Sequence, residues 1–297
     1  MLKYLGTKVD NWGWRKKMIQ FRSGWPANSV PDIKFYRSPK VQYRYRERGT
    51  GQTLVFAADP PVTLELYNDL LDTYAPHFRV IIVELPAMGF SQQQGDYRFG
   101  FRETNDDMAN FLKSVAGENA VLAFSCVGGL GAVDIAVRYP DLVSKLILIQ
   151  TADYTQFQKW KAARDPKKIL AKPIIGQILM RRLRLKRLPM WLGLAVGKRE
   201  MLEPFCACGE LTINHGAGWT MAGAFQNYMR SGLELGKAQQ PILAIWGDLD
   251  KSHASTASQS VKNLGKNTQL ISYNDLGHFP ELEDVPRIFG AIRTFLK

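Results

Sequence analysis

The chain has 297 residues, 45% of them hydrophobic and 22% charged, with 25 Gly and 15 Pro; this excludes global disorder and allows a large buried core in one domain with an insertion. Three cysteines are too few for a disulfide scaffold, and the odd number points to a reducing compartment or a reactive thiol. The formal net charge of +12 favours anionic partners; with no nucleic-acid-binding module in the sequence, these are an acidic carrier protein, a phosphate-bearing substrate such as a coenzyme A ester, or a membrane surface.

Residues 1–32 read as an N-terminal extension. The first residues, Met1-Leu2-Lys3-Tyr4-Leu5-Gly6-Thr7-Lys8, lack the apolar core of a secretory signal. No uninterrupted apolar run reaches the ~18 residues of a membrane-spanning helix, so a cytoplasmic protein is expected. Trp12, Trp14, Phe21 and Trp25 lie among Arg15, Lys16, Lys17 and Arg22. A helix packed on the body with its charges solvated accounts for this mixture, and an interfacial membrane anchor is the alternative.

From about Ile33 the pattern becomes strand-like. Val41–Arg46 alternates with period two, as a half-exposed edge strand does, and Gly49-Thr50-Gly51 reads as a turn. The run 53–58 is almost wholly apolar, the mark of a strand covered on both faces. Similar runs follow at 80–83, 120–124, 146–149, 242–246 and 269–273. Helical segments are expected at about 62–75, 102–116, 128–138, 256–264 and 282–296. Strands alternating with helices predict an α/β fold, a mostly parallel sheet flanked by helices. The alternation breaks at residues 152–238, which read as a helical cap inserted into a core of residues 33–151 and 239–297.

The segment from Val121 to Pro140 runs strand, sharp turn, helix, as in a nucleophile elbow, where a strained turn lifts one side chain above the sheet edge between small neighbours. Two registers fit Phe124-Ser125-Cys126-Val127-Gly128-Gly129. With Cys126 as nucleophile, Gly128 and Gly129 follow where the backbone passes closest to the strand, and Phe124 stands where Gly is usual. With Ser125 as the alternative nucleophile, Ala123 is small, but β-branched Val127 falls in the tight position. The glycines favour Cys126, because strained backbone is what glycine tolerates.

This stretch, continued through Leu130-Gly131-Ala132 to Tyr139-Pro140 and Leu146-Ile147-Leu148-Ile149, resembles the elbow region of cap-bearing α/β-hydrolases, with cysteine in place of the usual serine. The resemblance implies the α/β-hydrolase fold and places the nucleophile on Cys126.

A thiol nucleophile needs a base, and the base an orienting acid. Of the four histidines, His77 precedes a strand, at the wrong end of the sheet, and His215 lies in the insertion. His278, in Asp275-Leu276-Gly277-His278-Phe279-Pro280, follows the last predicted strand and resembles the family's catalytic-histidine loop. Trp246-Gly247-Asp248-Leu249-Asp250 resembles the acid loop, which assigns Asp250 to His278 and leaves Asp248 as a turn cap; Asp153 is a fallback acid. His253 reads as a solvated residue at a helix start.

The oxyanion hole departs from the family pattern. One donor is expected from the N–H of Val127. The second comes in relatives from a His-Gly-x loop, where this chain has Ala57-Ala58-Asp59-Pro60-Pro61. Pro60 has no N–H, so the N–H of Asp59 is the candidate donor. Glu84-Leu85-Pro86-Ala87-Met88-Gly89-Phe90-Ser91 resembles the family's Asp-x-x-Gly-x-Gly-x-Ser turn, with Glu84 and Ala87 as departures, and the resemblance implies a structural role.

Within the insertion, leucines recur at helical spacing from Leu179 to Leu192 beside a dense row of basic residues. This row is a solvated face, an anionic docking patch or a membrane-surface helix. Cys206-Ala207-Cys208 with His215 lacks a fourth ligand and the usual pair spacing for zinc; two buried thiols are expected. No cofactor or metal is predicted, since no phosphate loop or dinucleotide fingerprint occurs. The reading is a Cys126-His278-Asp250 acyl-transfer enzyme, a thioesterase or acyl hydrolase or an acyltransferase, acting on a coenzyme A or acyl carrier protein thioester or an ester. Alternatives are a lyase, cyclase or C–C bond hydrolase on the same fold, and a non-enzymatic binding or peripheral membrane-associated protein.

Overall fold

The computed structural model of the chain describes residues 2–12, 32–94 and 97–297. Its main sheet contains β1 (Ile33–Arg37), β2 (Val41–Arg48), β3 (Thr53–Ala58), β4 (Arg79–Glu84), β5 (Ala120–Ser125), β6 (Val143–Ile149), β7 (Ile242–Gly247) and β8 (Thr268–Tyr273). Their spatial order is β1-β2-β4-β3-β5-β6-β7-β8. β1 and β2 run antiparallel to their neighbours; from β4 onward every pairing along the order is parallel. The fold is therefore α/β with a mostly parallel sheet, as the alternation of apolar runs and helices predicts.

The central strands are apolar because both faces are covered. Helices α2 (Asn68–Tyr74) and α8 (Val285–Leu296) pack together on one side, and α3 (Phe101–Phe111) with α4 (Cys126–Arg138) on the other. α8 buries Val285, Ile288 and Ile292, one stripe of a helical surface, and Phe289 lies 4.8 Å from the Tyr74 ring.

β2 corrects one expectation. It is no half-exposed edge strand: it lies between β1 and β4, and Tyr43, Arg44, Tyr45 and Arg46 are all buried. Period-two alternation carried charges on its second face, and those charges are paired instead of solvated. Arg44 bonds Glu84 at 2.9 Å and also pairs with Glu65; Arg46 bonds Asp32 at 3.1 Å and Asn68 at 2.8 Å. Buried cations are tolerated when so neutralised. The outer strand is β1.

Residues between β6 and β7 form α5 (Tyr154–Arg164), α6 (Ile175–Ala195) and α7 (Arg199–Asn214), and Gly218–Trp219 pairs with Met88–Gly89. The N-terminal helix, Leu2–Asn11, packs on α6, whose Arg181 donates to the Val9 carbonyl at 3.0 Å. The basic row on α6 is thus divided: Arg181 and Arg184 cap backbone carbonyls, while Arg182, Lys186 and Arg187 are exposed. Trp12 is exposed; Trp14, Phe21 and Trp25, with the basic residues between them, lie outside the described residues. No described helix is long and apolar enough to cross a membrane.

Candidate active site

β5 ends at Ser125 and α4 begins at Cys126, whose φ of +53° is left-handed. Non-glycine residues rarely hold that conformation and need surrounding structure to enforce it. Two contacts do so. The Thr151 hydroxyl donates to the Cys126 carbonyl at 3.1 Å, and a Cβ at Gly129 would lie 2.1 Å from Thr151 Oγ1, so only glycine lets α4 pass this close. Ser125 has ordinary extended backbone, and its hydroxyl faces Glu281 at 3.5 Å. Of the two candidate nucleophiles, Cys126 stands at the turn and lines the cavity.

His278 follows β8 on a loop held by several hydrogen bonds. Its own N–H donates to the Ala195 carbonyl at the end of α6 at 2.7 Å. The buried Glu283 carboxylate accepts N–H groups of Gly197 and Lys198 at 2.9 Å each, Gly277 at 3.0 Å and Phe279 at 3.3 Å. One carboxylate thereby ties the histidine loop to the residues that follow α6. The imidazole Nδ1 lies 2.6 Å from Asp250 Oδ2. Asp250 Oδ1 accepts the Ser252 N–H at 2.8 Å, and Gln150 donates to Oδ2 at 3.0 Å. Burial raises the Asp250 carboxyl, but His278 beside it outweighs this and brings it below its ordinary value. The sequence reading misses Gln150; its one sequence signal is a polar residue directly after the apolar run 146–149, and in the structure its φ is +47°.

Two further groups enter the site against expectation. The Asp59 carboxylate, 13% exposed, reaches His278 Nε2 at 2.8 Å, so this residue brings a negative charge to the loop from which a backbone donor was expected. His253 is not solvated: it is 2% exposed, its ring stacks on Trp160 at 5.2 Å, and its Nε2 lies 3.7 Å from Cys126 Sγ. A solvated helix-start position is therefore corrected: Phe157 and Trp160 of α5 cover the ring.

The electrostatics follow from this crowding. Burial pushes the His278 imidazole down, but the carboxylates of Asp250 and Asp59 on its two nitrogens more than reverse that and raise it well above the usual histidine range. Burial, then the Asp59 charge, raises the Cys126 thiol, while His278 and the Val127 N–H favour the thiolate more weakly. Burial and the neighbouring His278 lower His253 to about 3, so it is neutral. At neutral pH the arrangement is therefore a thiol beside an imidazolium held by two carboxylates, with a neutral second imidazole on the sulfur.

The reacting groups open into a cavity of about 90 Å³. Met88, Phe99, Met108, Ile135, Met221 and Phe225 make most of its wall apolar, and Val127 lines it beside Cys126. Other sequence candidates lie elsewhere. Asp153 caps α5, accepting the Gln156 N–H at 2.9 Å. His215 bonds the Leu211 carbonyl, and His77 lies against Phe289. Cys206 and Cys208 are only partly buried, which corrects the expectation of two buried thiols: they lie on α7, where Cys208 faces Thr63. Glu84 accepts the Phe90 N–H and pairs with Arg44, matching the structural use expected of its turn.

Comparison with known proteins agrees with this architecture. A family described as alpha/beta hydrolase fold matches residues 60–170. A pimeloyl-[acyl-carrier protein] methyl ester esterase of Pectobacterium carotovorum is 33% identical over 109 residues, 36% of this chain and 40% of that protein; the matched segment thus spans less than half of that relative. The protein of the same name from Nitrosospira multiformis is 28% identical over 258 residues, 84% of this chain and 96% of its own. Among solved structures, a thermophilic esterase from Thermogutta terrifontis superposes with a TM-score of 0.66 at 18% identity, covering 89% of this chain and 96% of the esterase.

Proposed function

We propose that this chain, which has the α/β-hydrolase fold, is a cysteine-nucleophile acyl-transfer enzyme acting on thioesters or esters. The supporting observation is Cys126 at a left-handed strand-to-helix turn, with His278 and its Asp250 partner at the same sheet edge. In this reading His278, in its neutral form, takes the thiol proton while sulfur bonds to the acyl carbon. The Val127 N–H, and that of Asp59 on the facing loop, stabilise the oxyanion. His278 then returns the proton to the departing alcohol or thiol. Water or a second acceptor, deprotonated in turn by His278, releases the acyl group from Cys126. Asp250 orients the imidazole throughout.

The acyl group enters the apolar cavity. Exposed Arg182, Lys186 and Arg187 on α6 supply an anionic docking surface for a coenzyme A or carrier-protein thioester, in line with the acyl-carrier substrates named for the relatives. Residues 152–238 act as the cap over the pocket, and the protein works in the cytoplasm. Turnover of acyl thioesters and methyl esters by wild type, Asp250→Asn and His278→Gln tests the reading. Each variant is expected to lose about 10³–10⁴-fold in kcat/KM; retention of activity by His278→Gln sinks it.

The contact of Asp59 with His278 favours a second reading, in which that pair moves a proton on the substrate itself, as in a lyase, cyclase or C–C bond hydrolase, and Cys126 is pocket wall. Activity that survives in Cys126→Ala and is lost in His278→Gln selects it.

A further inference from the structure

We propose that Cys126, His253 and His278, with Asp59 as fourth donor, form a binding site for a soft divalent cation of the Zn²⁺ class. The sulfur and the two imidazole nitrogens all lie within 4.8 Å of one another, and all three residues are buried. The nearest pair, Cys126 Sγ and His253 Nε2, is 3.7 Å apart. Tetrahedral zinc, with bonds of about 2.3 Å to sulfur and 2.0–2.1 Å to nitrogen, places such donors roughly 3.5 Å apart. The Asp59 carboxylate already sits on His278 Nε2 at 2.8 Å; to flank a metal the two atoms need to part by about half an ångström, and Asp59, its side chain 13% exposed, is the less buried of the pair.

The groups behind the donors aim them correctly. Metal-bound histidines commonly hand their other ring nitrogen to a carboxylate or hydroxyl, which fixes the tautomer. His278 offers Nδ1 to Asp250 at 2.6 Å, and His253 offers Nδ1 to Thr256 Oγ1 at 3.2 Å. Both Nε2 atoms consequently face the sulfur side. Binding releases the protons of the Cys126 thiol and the His278 imidazolium, as ligation of such groups requires; thiolate and carboxylate then offset the charge of one divalent ion, and the mixture of S and N suits Zn²⁺ over Mg²⁺ or Ca²⁺. Cys206 and Cys208, half-buried on α7, are no part of it.

A metal so held takes the sulfur and both imidazole lone pairs, so it silences thiol chemistry at Cys126 reversibly. The inference does not depend on the acyl-transfer reading, because binding is read directly from the metal.

The test uses Co²⁺ as the probe on the full chain. Wild type is expected to bind one equivalent with the intense visible bands of four-coordinate cobalt and a near-ultraviolet thiolate-to-cobalt charge-transfer band, both displaced by Zn²⁺. The charge-transfer band should vanish in Cys126→Ser, binding should weaken at least tenfold in His253→Gln, and Cys206→Ser/Cys208→Ser should behave as wild type. Zn²⁺ should also protect Cys126 of the unaltered protein from alkylation by iodoacetamide, a measurement needing no variant. A wild type without the thiolate band and without protection, or a band that survives Cys126→Ser and disappears with Cys206 and Cys208, overturns the site and leaves His253 as a hydrogen-bonding neighbour of the thiol.

Discussion

His278 Nε2 lies 2.8 Å from the carboxylate of Asp59, a residue contributed by the opposite side of the cleft, on the loop after β3. The nitrogen that should receive the thiol proton thus already holds a proton shared with a carboxylate. With Asp250 on Nδ1, Asp59 raises the imidazole well above its ordinary range. The resting site carries one proton more than the proposed acyl transfer can use.

A pH dependence follows. His278 must be neutral to act as base, so kcat/KM should rise with pH through the elevated value. Asp59→Asn removes one of the two carboxylates that hold the proton, which lowers that value. The rising limb should therefore move to lower pH, by roughly 1–3 pH units. Profiles of kcat/KM against pH for the two proteins check this; a limb that stays in place or moves upward contradicts the role given to Asp59.

A second titration concerns stability. Burial, with repulsion from Asp59, raises the Glu281 carboxyl to about 8, whereas an unfolded glutamate ionises near pH ~4.3. Between these values the folded chain keeps a proton that the unfolded chain loses, so stability falls as pH rises. Glu281→Gln cannot ionise. Its unfolding free energy relative to wild type should increase from pH 5 to pH 8, on the order of a few kcal/mol at the upper end. Denaturant melts at both pH values test the sign.

The tight approach at the elbow predicts a coupled pair. Gly129→Ala sets a methyl 2.1 Å from Thr151 Oγ1 and should cost about 1–3 kcal/mol. Thr151→Ala removes the hydroxyl and methyl that are struck, so the double variant should lose less than the sum of the single changes. Thermal or denaturant unfolding of the four proteins gives the coupling; simple additivity argues against the crowding.

Much of this was legible in the chain. The apolar runs mark the parallel strands because covered strands need apolar residues on both faces, and the double glycine after Cys126 marks the elbow because only a missing Cβ fits against Thr151. β2 misled, since Arg44 and Arg46 look solvated until their partners Glu84, Glu65 and Asp32 are brought in from elsewhere in the chain. Asp59 and His253 hide their roles in the sequence for the same reason. Their roles come from what lies across the cleft, His278 in one case and Trp160 with Cys126 in the other, and neither neighbour is near in sequence.

The exposed basic residues of α6 predict a charge effect limited to large anionic substrates. Reversing Arg182, Lys186 and Arg187 to Glu should raise KM several-fold for a carrier-protein thioester and leave a small uncharged thioester unchanged. The difference should shrink at high salt, as surface electrostatics are screened. Equal effects on both substrates argue for a structural role of these residues instead.

The central claim is that Cys126 carries the acyl group. Intact-protein mass spectrometry of the chain mixed with an excess of acyl thioester and quenched during turnover tests it most directly. Acyl transfer through Cys126 gives a mass increase of one acyl group that maps to Cys126, is absent in Cys126→Ala and persists in Ser125→Ala. No adduct on wild type, together with equal turnover by wild type and Cys126→Ala, contradicts it.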